Sequence, residues 1–278
     1  MRILKLIGLG VAILLIVAVG SVYGASEYAA RRTHAYTPSA VRAAVGPEAV
    51  ARDGRLAVVY GCTGCHGPQL HGQEWQDDAM HGRLWTANLT RAMPNYTDAQ
   101  LVAAIREGVR HDGRGLWGMP SEGYIEVTDA EMADLLAWLR THQPAGAETP
   151  TTRFGPLGRL NIFRRESKTS PAWVTEARAN PAFDAGPAFA HGRHLAATLC
   201  SECHGSNLKG QPGFTPDLLM AASYDAAGFS SFMRTGVAAD GKEKGLMTEV
   251  ARERLVHLSD QEVADLYAYL RKRAEEAP

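Results

Sequence analysis

The stretch Cys62-Thr63-Gly64-Cys65-His66 decides how this chain folds. On a helical turn, positions i, i+3 and i+4 share one face, so both thiols and the imidazole meet the same flat surface. Two thiols at that spacing can each form a thioether to one vinyl group of a haem. The histidine that follows is then carried under the porphyrin, with a ring nitrogen in reach of the iron. The pattern returns at Cys200-Ser201-Glu202-Cys203-His204, and these four cysteines are all the cysteines of the chain. Two pentapeptides with no cysteine left over point to two covalently attached c-type haems. Cys62, Cys65, Cys200 and Cys203 are the expected attachment residues, and His66 and His204 the expected iron ligands.

Other uses of paired cysteines fit less well. A shared zinc site commonly has ~15–20 residues between its two pairs, whereas 200 − 65 = 135 positions separate Cys65 from Cys200. A thioredoxin-like dithiol would sit in a βαβ pattern, which is absent here. At 278 residues the chain has length for about two domains. Its 45% hydrophobic and 21% charged residues are ordinary for a globular protein. A net charge of −1 supplies no basic footprint, so nucleic acid is not an expected partner.

The N-terminus differs from the rest. Arg2 and Lys5 precede Leu6–Ser26, and 26 − 6 + 1 gives 21 positions without a charge. A membrane-spanning helix needs about 20 residues, while the apolar part of a cleavable signal is usually ~7–15. Residues 1–26 are therefore expected to form a membrane anchor, with Ala18, Gly20 and Ala25 leaving cleavage as the alternative. Arg2 and Lys5 place the N-terminus in the cytoplasm, and Arg31 and Arg32 on the far side weaken that vote without reversing it. The expectation is a single-pass protein of the cytoplasmic membrane with its haem domains on the periplasmic side, where bacteria attach haem to such motifs.

Aligning the pentapeptides reveals an internal repeat. An offset of 138 pairs Gly54 with Gly192, Arg55 with Arg193, Gly67 with Gly205, Leu70 with Leu208, Gly72 with Gly210 and Gln73 with Gln211. An offset of 128 then pairs Tyr96 with Tyr224, Arg106 with Arg234, Asp112-Gly113 with Asp240-Gly241 and Met119 with Met247. The first copy thus holds 138 − 128 = 10 extra residues between Gln73 and Tyr96, where Trp75 and Trp85 lie. Thr128-Asp129-Ala130-Glu131 and Ser259-Asp260-Gln261-Glu262 both read as capping boxes. The helices they open, Ala130–Arg140 and Gln261–Arg271, carry apolar stripes at Leu135, Leu136 and Leu139, and at Leu266, Tyr267 and Leu270. Each copy reads as a pre-haem helix, the attachment turn, a loop and a short helix (Asp98–Glu107 in the first). A glycine-rich loop holding a methionine and a closing helix complete it. Strand patterning is weak, and the expected fold is all-α. The expected units are 47–143 and 188–273, joined by 144–187. That joining segment is rich in Pro, Gly, Thr and Arg, shows no sustained period, and reads as a linker or irregular strap. Its Arg153, Arg159, Arg164, Arg165 and Lys168 are read as solvated charges opposing acidic residues of the domains, in preference to a dock for a redox partner.

With these residues quoted, the chain resembles the class I c-type cytochromes, in particular the variants that include cytochrome subunits of membrane-associated dehydrogenases. The resemblance rests on Cys62–Gly67, Asn88-Leu89-Thr90, Arg106-Glu107-Gly108-Val109, Asp112-Gly113 and Met119-Pro120. In the second copy it rests on Cys200–Gly205, Arg234–Val237, Asp240-Gly241 and Gly245-Leu246-Met247. It covers nearly everything from Arg52 to Arg271 apart from the linker. It implies two tandem class I domains, irons ligated by histidine and methionine, and electron transfer. One departure stands out: Met247 is followed by Thr248, where Met119 is followed by Pro120.

Met119 and Met247 are the expected distal ligands, as the one methionine pair that the repeat reproduces. Met80, Met93, His71, His81 and His111 compete in the first copy, and Met220 and Met233 in the second. Asn88, Arg106 and Arg234 are read either as hydrogen-bond donors to haem propionates or as loop caps. The expected function is single-electron transfer between a redox donor and acceptor, alone or as the cytochrome subunit of a dehydrogenase or respiratory complex. A dihaem enzyme, such as a peroxidase or a thiosulfate-oxidising dehydrogenase, is the alternative.

Overall fold

A first helix, α1 (Arg2–Arg31), takes up the whole apolar run in the computed structural model. Its 30 residues rise about 45 Å, more than the ~30 Å hydrocarbon core of a bilayer. None of its most apolar window is buried in protein, so it is long and apolar enough to cross a membrane. The described residues are 1–46 and 54–276. The expected domain start at 47, and Arg52 where the resemblance begins, lie outside them. After Arg31 the chain is extended along the first copy, where the His34 amide donates to Gly113 O at 2.8 Å and that of Ala44 to Ala133 O at 2.9 Å.

The first copy continues with helical residues 54–59 (α2) and the attachment turn α3 (Cys62–His66). The extra residues of this copy then fold as a hairpin of β1 (Glu74–Asp78) and β2 (Gly82–Trp85). Next come α4 (Leu89–Ala92), α5 (Asp98–Arg106) and α6 (Asp129–Arg140). Thr128 and Glu131 form the expected capping box at the start of α6. Leu135, Leu136 and Leu139 are all buried, at ~1.5–3 kcal/mol for each side chain removed from water.

The joining segment corrects the expectation of an irregular linker. It contains β3 (Arg153–Phe154), antiparallel to β2, and two helices, α7 (Pro156–Phe163) and α8 (Ser170–Ala179). Both helices have proline in their first turn, where its missing N–H costs nothing. They bury only Gly158 and Ile162, and Ser170, Val174 and Ala177, too few positions to leave a visible period. Of the linker cations, Arg159 pairs with Glu27 and Lys168 with Glu176.

The second copy comprises α9 (Ala190–Leu199), α10 (Ser201–His204), α11 (Ala226–Thr235), α12 (Leu246–Glu253) and α13 (Asp260–Glu276). The fold is all-α with one small sheet. The repeated glycine pair marks its helix crossings. A Cβ on Gly192 would collide with Asp265 O, so α9 meets α13 backbone to backbone only because this residue is glycine. Gly54 occupies the matching crossing, its nearest neighbour being the Trp138 ring of α6.

The two copies pack face to face into one buried cluster that includes Val59, Tyr60 and Tyr124 of the first and Leu195, Ala196 and Leu199 of the second. A 3-10 turn, Ser121–Tyr124, lies against α9 and α10. Tyr124 OH reaches back to donate to Tyr60 O at 2.7 Å. Ion pairs cross the boundary at Arg55–Glu262 (3.0 Å) and His194–Glu131 (2.9 Å).

Candidate haem sites

Both pentapeptides form helical turns, and both end with the histidine ring tied to a backbone carbonyl. His66 Nδ1 donates to Ala87 O at 2.7 Å, and His204 Nδ1 to Pro216 O at 2.8 Å. A carbonyl only accepts, so Nδ1 carries the proton and Nε2 keeps its lone pair. Burial pulls both imidazoles below the ordinary histidine range, which keeps them neutral. This is how a protein fixes the tautomer of a histidine that ligates a metal. The two carbonyls carry no side-chain signature, so sequence reasoning had no means of naming them.

Residues of the repeat after each histidine close the turns. Gln73 Nε2 donates to Gly64 O at 2.9 Å and Gln211 Nε2 to Glu202 O at 3.4 Å. The amides of Gly72 and Gly210 each donate at 2.8 Å to the carbonyl of His66 and His204 respectively. No disulfide joins any of the four cysteines. Burial pushes Cys62 and Cys200 up to about 12, and raises Cys65 and Cys203 as well. A catalytic dithiol would show the opposite shift. Among the described residues, no three His, Cys, Asp or Glu side chains are gathered to hold a metal ion. A pair of un-ionised thiols and a neutral imidazole with Nε2 available, on one turn, fit covalent haem, and both turns carry this set.

Met119 is half-buried against the core in the loop before the Ser121–Tyr124 turn. The linker holds that loop in place: Ser170 Oγ donates to Met119 O at 2.6 Å, and the Ser170 amide to Leu116 O at 2.9 Å. The hairpin adds Trp75, whose ring lies over Gly118. Met247 is likewise half-buried against the core, but it stands in the first turn of α12 and not in an open loop. Thr248, at the place of the missing proline, is buried. Its hydroxyl donates to Gly236 O at 2.6 Å and accepts from the Lys244 amide at 2.8 Å. Side-chain hydrogen bonds thus fix in the second copy what proline stiffens in the first.

The competing residues have other surroundings. Met93 and Met233 are core side chains, 3% and 4% exposed. Met80 and Met220 are about half exposed, in the hairpin turn and in a 3-10 turn. His81 is exposed and bonded to Asp78, and His111 packs edge-on to Tyr96. Asn88 caps α4 and donates to Ala145 O and Ala147 O, both at 2.8 Å. Arg106 binds Val127 O and Asp129, and Arg234 binds Leu258 O and Asp260, so both tie down the start of a closing helix. All three thus serve as loop caps, and Arg106 Nε is left buried without a partner.

A sequence profile of the cytochrome c family matches residues 51–143 and 189–274. The chain belongs to the cytochrome c family, whose members bind haem and transfer electrons. It is similar to the fructose dehydrogenase cytochrome subunit of Gluconobacter japonicus, 24% identical over 80% of this chain and 52% of that protein. It is also similar to the cytochrome c subunit of the quinone alcohol dehydrogenase of Gluconacetobacter polyoxogenes, at 27% identity over 76% of this chain and 45% of that one. The cytochrome c subunit of the same kind of enzyme from Komagataeibacter europaeus matches to the same extent. The chain spans about half the length of these relatives.

Proposed function

We propose that this chain is a membrane-anchored dihaem c-type cytochrome that passes single electrons from a donor to an acceptor, as the cytochrome subunit of a dehydrogenase complex. Residues 47–143 and 188–273 form its two haem units, with 144–187 as the strap between them. Cys62, Cys65, His66 and Met119 hold the first haem, and Cys200, Cys203, His204 and Met247 the second. Bound haem supplies the one-electron couple. The protein holds Nε2 of each histidine deprotonated, and fixes the chain at each methionine by the hydrogen bonds of Ser170 and Thr248 around it. Thioether ligation favours the reduced iron and keeps the potential above that of a bis-histidine site.

The observation that carries this reading is the duplication of the whole set. Each copy combines two un-ionised thiols, an imidazole oriented through Nδ1, and a methionine at the common offset of 247 − 119 = 128. The relatives whose names say dehydrogenase cytochrome subunit support a dehydrogenase as the donor. Arg2 and Lys5 before α1's apolar run support a periplasmic position for the two copies. The test is ligand binding to the reduced protein. With both irons closed by methionine, carbon monoxide should bind poorly at neutral pH. Rapid, stoichiometric binding at one haem would overturn the carrier reading in favour of a dihaem enzyme.

A further inference from the structure

One cation spans the boundary between the copies, bonded just before the first attachment turn and inside the second. Arg254 follows α12 in the second copy, and its side chain is 15% exposed. Its Nε donates to Val59 O of the first copy at 3.2 Å, three residues before Cys62. Its Nη1 donates to Glu202 Oε2 at 3.0 Å, inside the second pentapeptide. Gly61, with φ +79°, leaves the space it fills: a Cβ there would lie 2.7 Å from the guanidinium carbon. The repeat has no counterpart. At the closing-helix offset of 259 − 128 = 131, Arg254 matches Gly123, which rests on Ser201. The device therefore belongs to the pairing of the copies and not to the single domain.

We propose that Arg254 is a positioning residue for electron exchange between the two haems: it clamps the attachment turns together and its charge raises both reduction potentials, against the opposing charge of Glu202. The proposal rests on the dihaem reading above. Reduction adds an electron to a haem, so a fixed cation nearby favours the reduced form and a carboxylate the oxidised one. Burial between the copies limits screening by water and salt. A charge placed between the two sites moves both in the same direction, so it tunes the pair without opening a step between them.

The experiment is a spectroscopic redox titration of the full-length, haem-loaded protein in detergent, with the haem-to-protein ratio measured for each variant. Arg254→Gln should lower the reduction equilibrium constant of both haems by about tenfold, or ~59 mV for a one-electron couple. Arg254→Lys keeps the charge and should keep both potentials. Glu202→Gln should raise both, and the double variant should return towards the parent. Unmoved potentials in a fully loaded Arg254→Gln protein, a shift confined to one haem, or equal damage from Arg254→Lys would each overturn the proposal. If Arg254→Gln loses haem, Glu202→Gln reads the same field with the opposite sign, and the absence of a rise overturns it. A parent protein with one haem per chain overturns the dihaem reading itself, and the ratio alone reveals that case.

Discussion

Glu131 accepts a hydrogen bond from His194 Nε2 at 2.9 Å across the boundary between the copies. Its other carboxylate oxygen accepts from the Thr128 amide at 2.8 Å, in the capping box of α6. Glu262 repeats the arrangement in the second copy, capping Ser259 and pairing with Arg55 of α2. Each capping glutamate thus fixes the start of its own closing helix and grips the pre-haem helix of the other copy. Two local motifs become the latches of a pseudo-symmetric interface.

These latches make the interface sensitive to pH. Glu131 is held down at about 2, against the cost of its burial, by hydrogen bonds from His194 and Thr128, and Glu131 in turn raises His194. The carboxylate's share of the stability is present above its ordinary range near 4.5 and lost as pH falls through about 2. The imidazolium's share is complete below about 6.5 and lost as pH rises through its raised value. The pair is fully formed between those limits. His194→Ala should cost roughly 1–3 kcal/mol at pH 6 and clearly less at pH 9. Denaturant unfolding of both proteins at the two pH values checks this, and a gap independent of pH counts against it.

Much of this architecture was legible in the sequence, because each legible part has a local cause. The pentapeptides, the capping boxes and the Leu135-Leu136-Leu139 stripe are spacings that a helix converts directly into geometry. The repeat also located its own exception, since the 10 extra residues of the first copy became the hairpin that carries Trp75 over Gly118. Three things were hidden. Ala87 O and Pro216 O act through backbone, which leaves no residue signature. The helices α7 and α8 bury too few side chains to show a period. Arg254 acquires its role only when two distant turns are brought together, which no single stretch of chain records.

Thr248 carries the second prediction. Its hydroxyl bridges Gly236 O and the Lys244 amide beside Met247, from a buried position. Thr248→Val keeps the shape but leaves the buried Gly236 carbonyl and the Lys244 amide without this partner, at roughly 1–3 kcal/mol. The methionine-to-iron charge-transfer absorption should lose about half its intensity in Met119→Ala and in Met247→Ala, if each haem contributes one such bond. Thr248→Val should weaken only the share that Met247→Ala removes. A band untouched by Met247→Ala would assign the second iron to another residue.

Glu122 gives a third. Its Oε2 is buried without a hydrogen-bond partner, and burial, helped by the charge of Glu202, pushes it up to about 7. The folded protein therefore keeps this proton between about pH 4.5 and 7, where the unfolded chain has released it. This group's share of the stability must fall across that window as pH rises, by roughly 3 kcal/mol, and level off above it. Glu122→Gln should remove this slope and be more stable than the parent at pH 8. Parallel pH–stability curves for the two proteins would show that the carboxyl is not the source.

The last prediction concerns the N-terminal helix. At the end of its apolar run, α1 docks on α7 of the strap: Arg159 donates to Ser26 Oγ at 2.8 Å, pairs with Glu27 at 3.3 Å and lies 4.9 Å from the centre of the Tyr23 ring. A signal peptide is discarded and has no use for a receptor built into the mature domain. An anchor would, because the contact would hold the two copies against the bilayer surface from which α1 would emerge. The protein extracted from membranes should therefore retain its N-terminal segment, with a mass equal to the chain plus two covalent haems. Deleting residues 1–20 behind a cleavable signal should release a soluble protein with both haems in place. Arg159→Ala in the full-length protein should leave it in the membrane but speed proteolysis between Arg31 and Val45, since that extended segment would lose its fixed starting point. A mature N-terminus near Ser21 or Ser26 would sink the anchor and leave a soluble carrier.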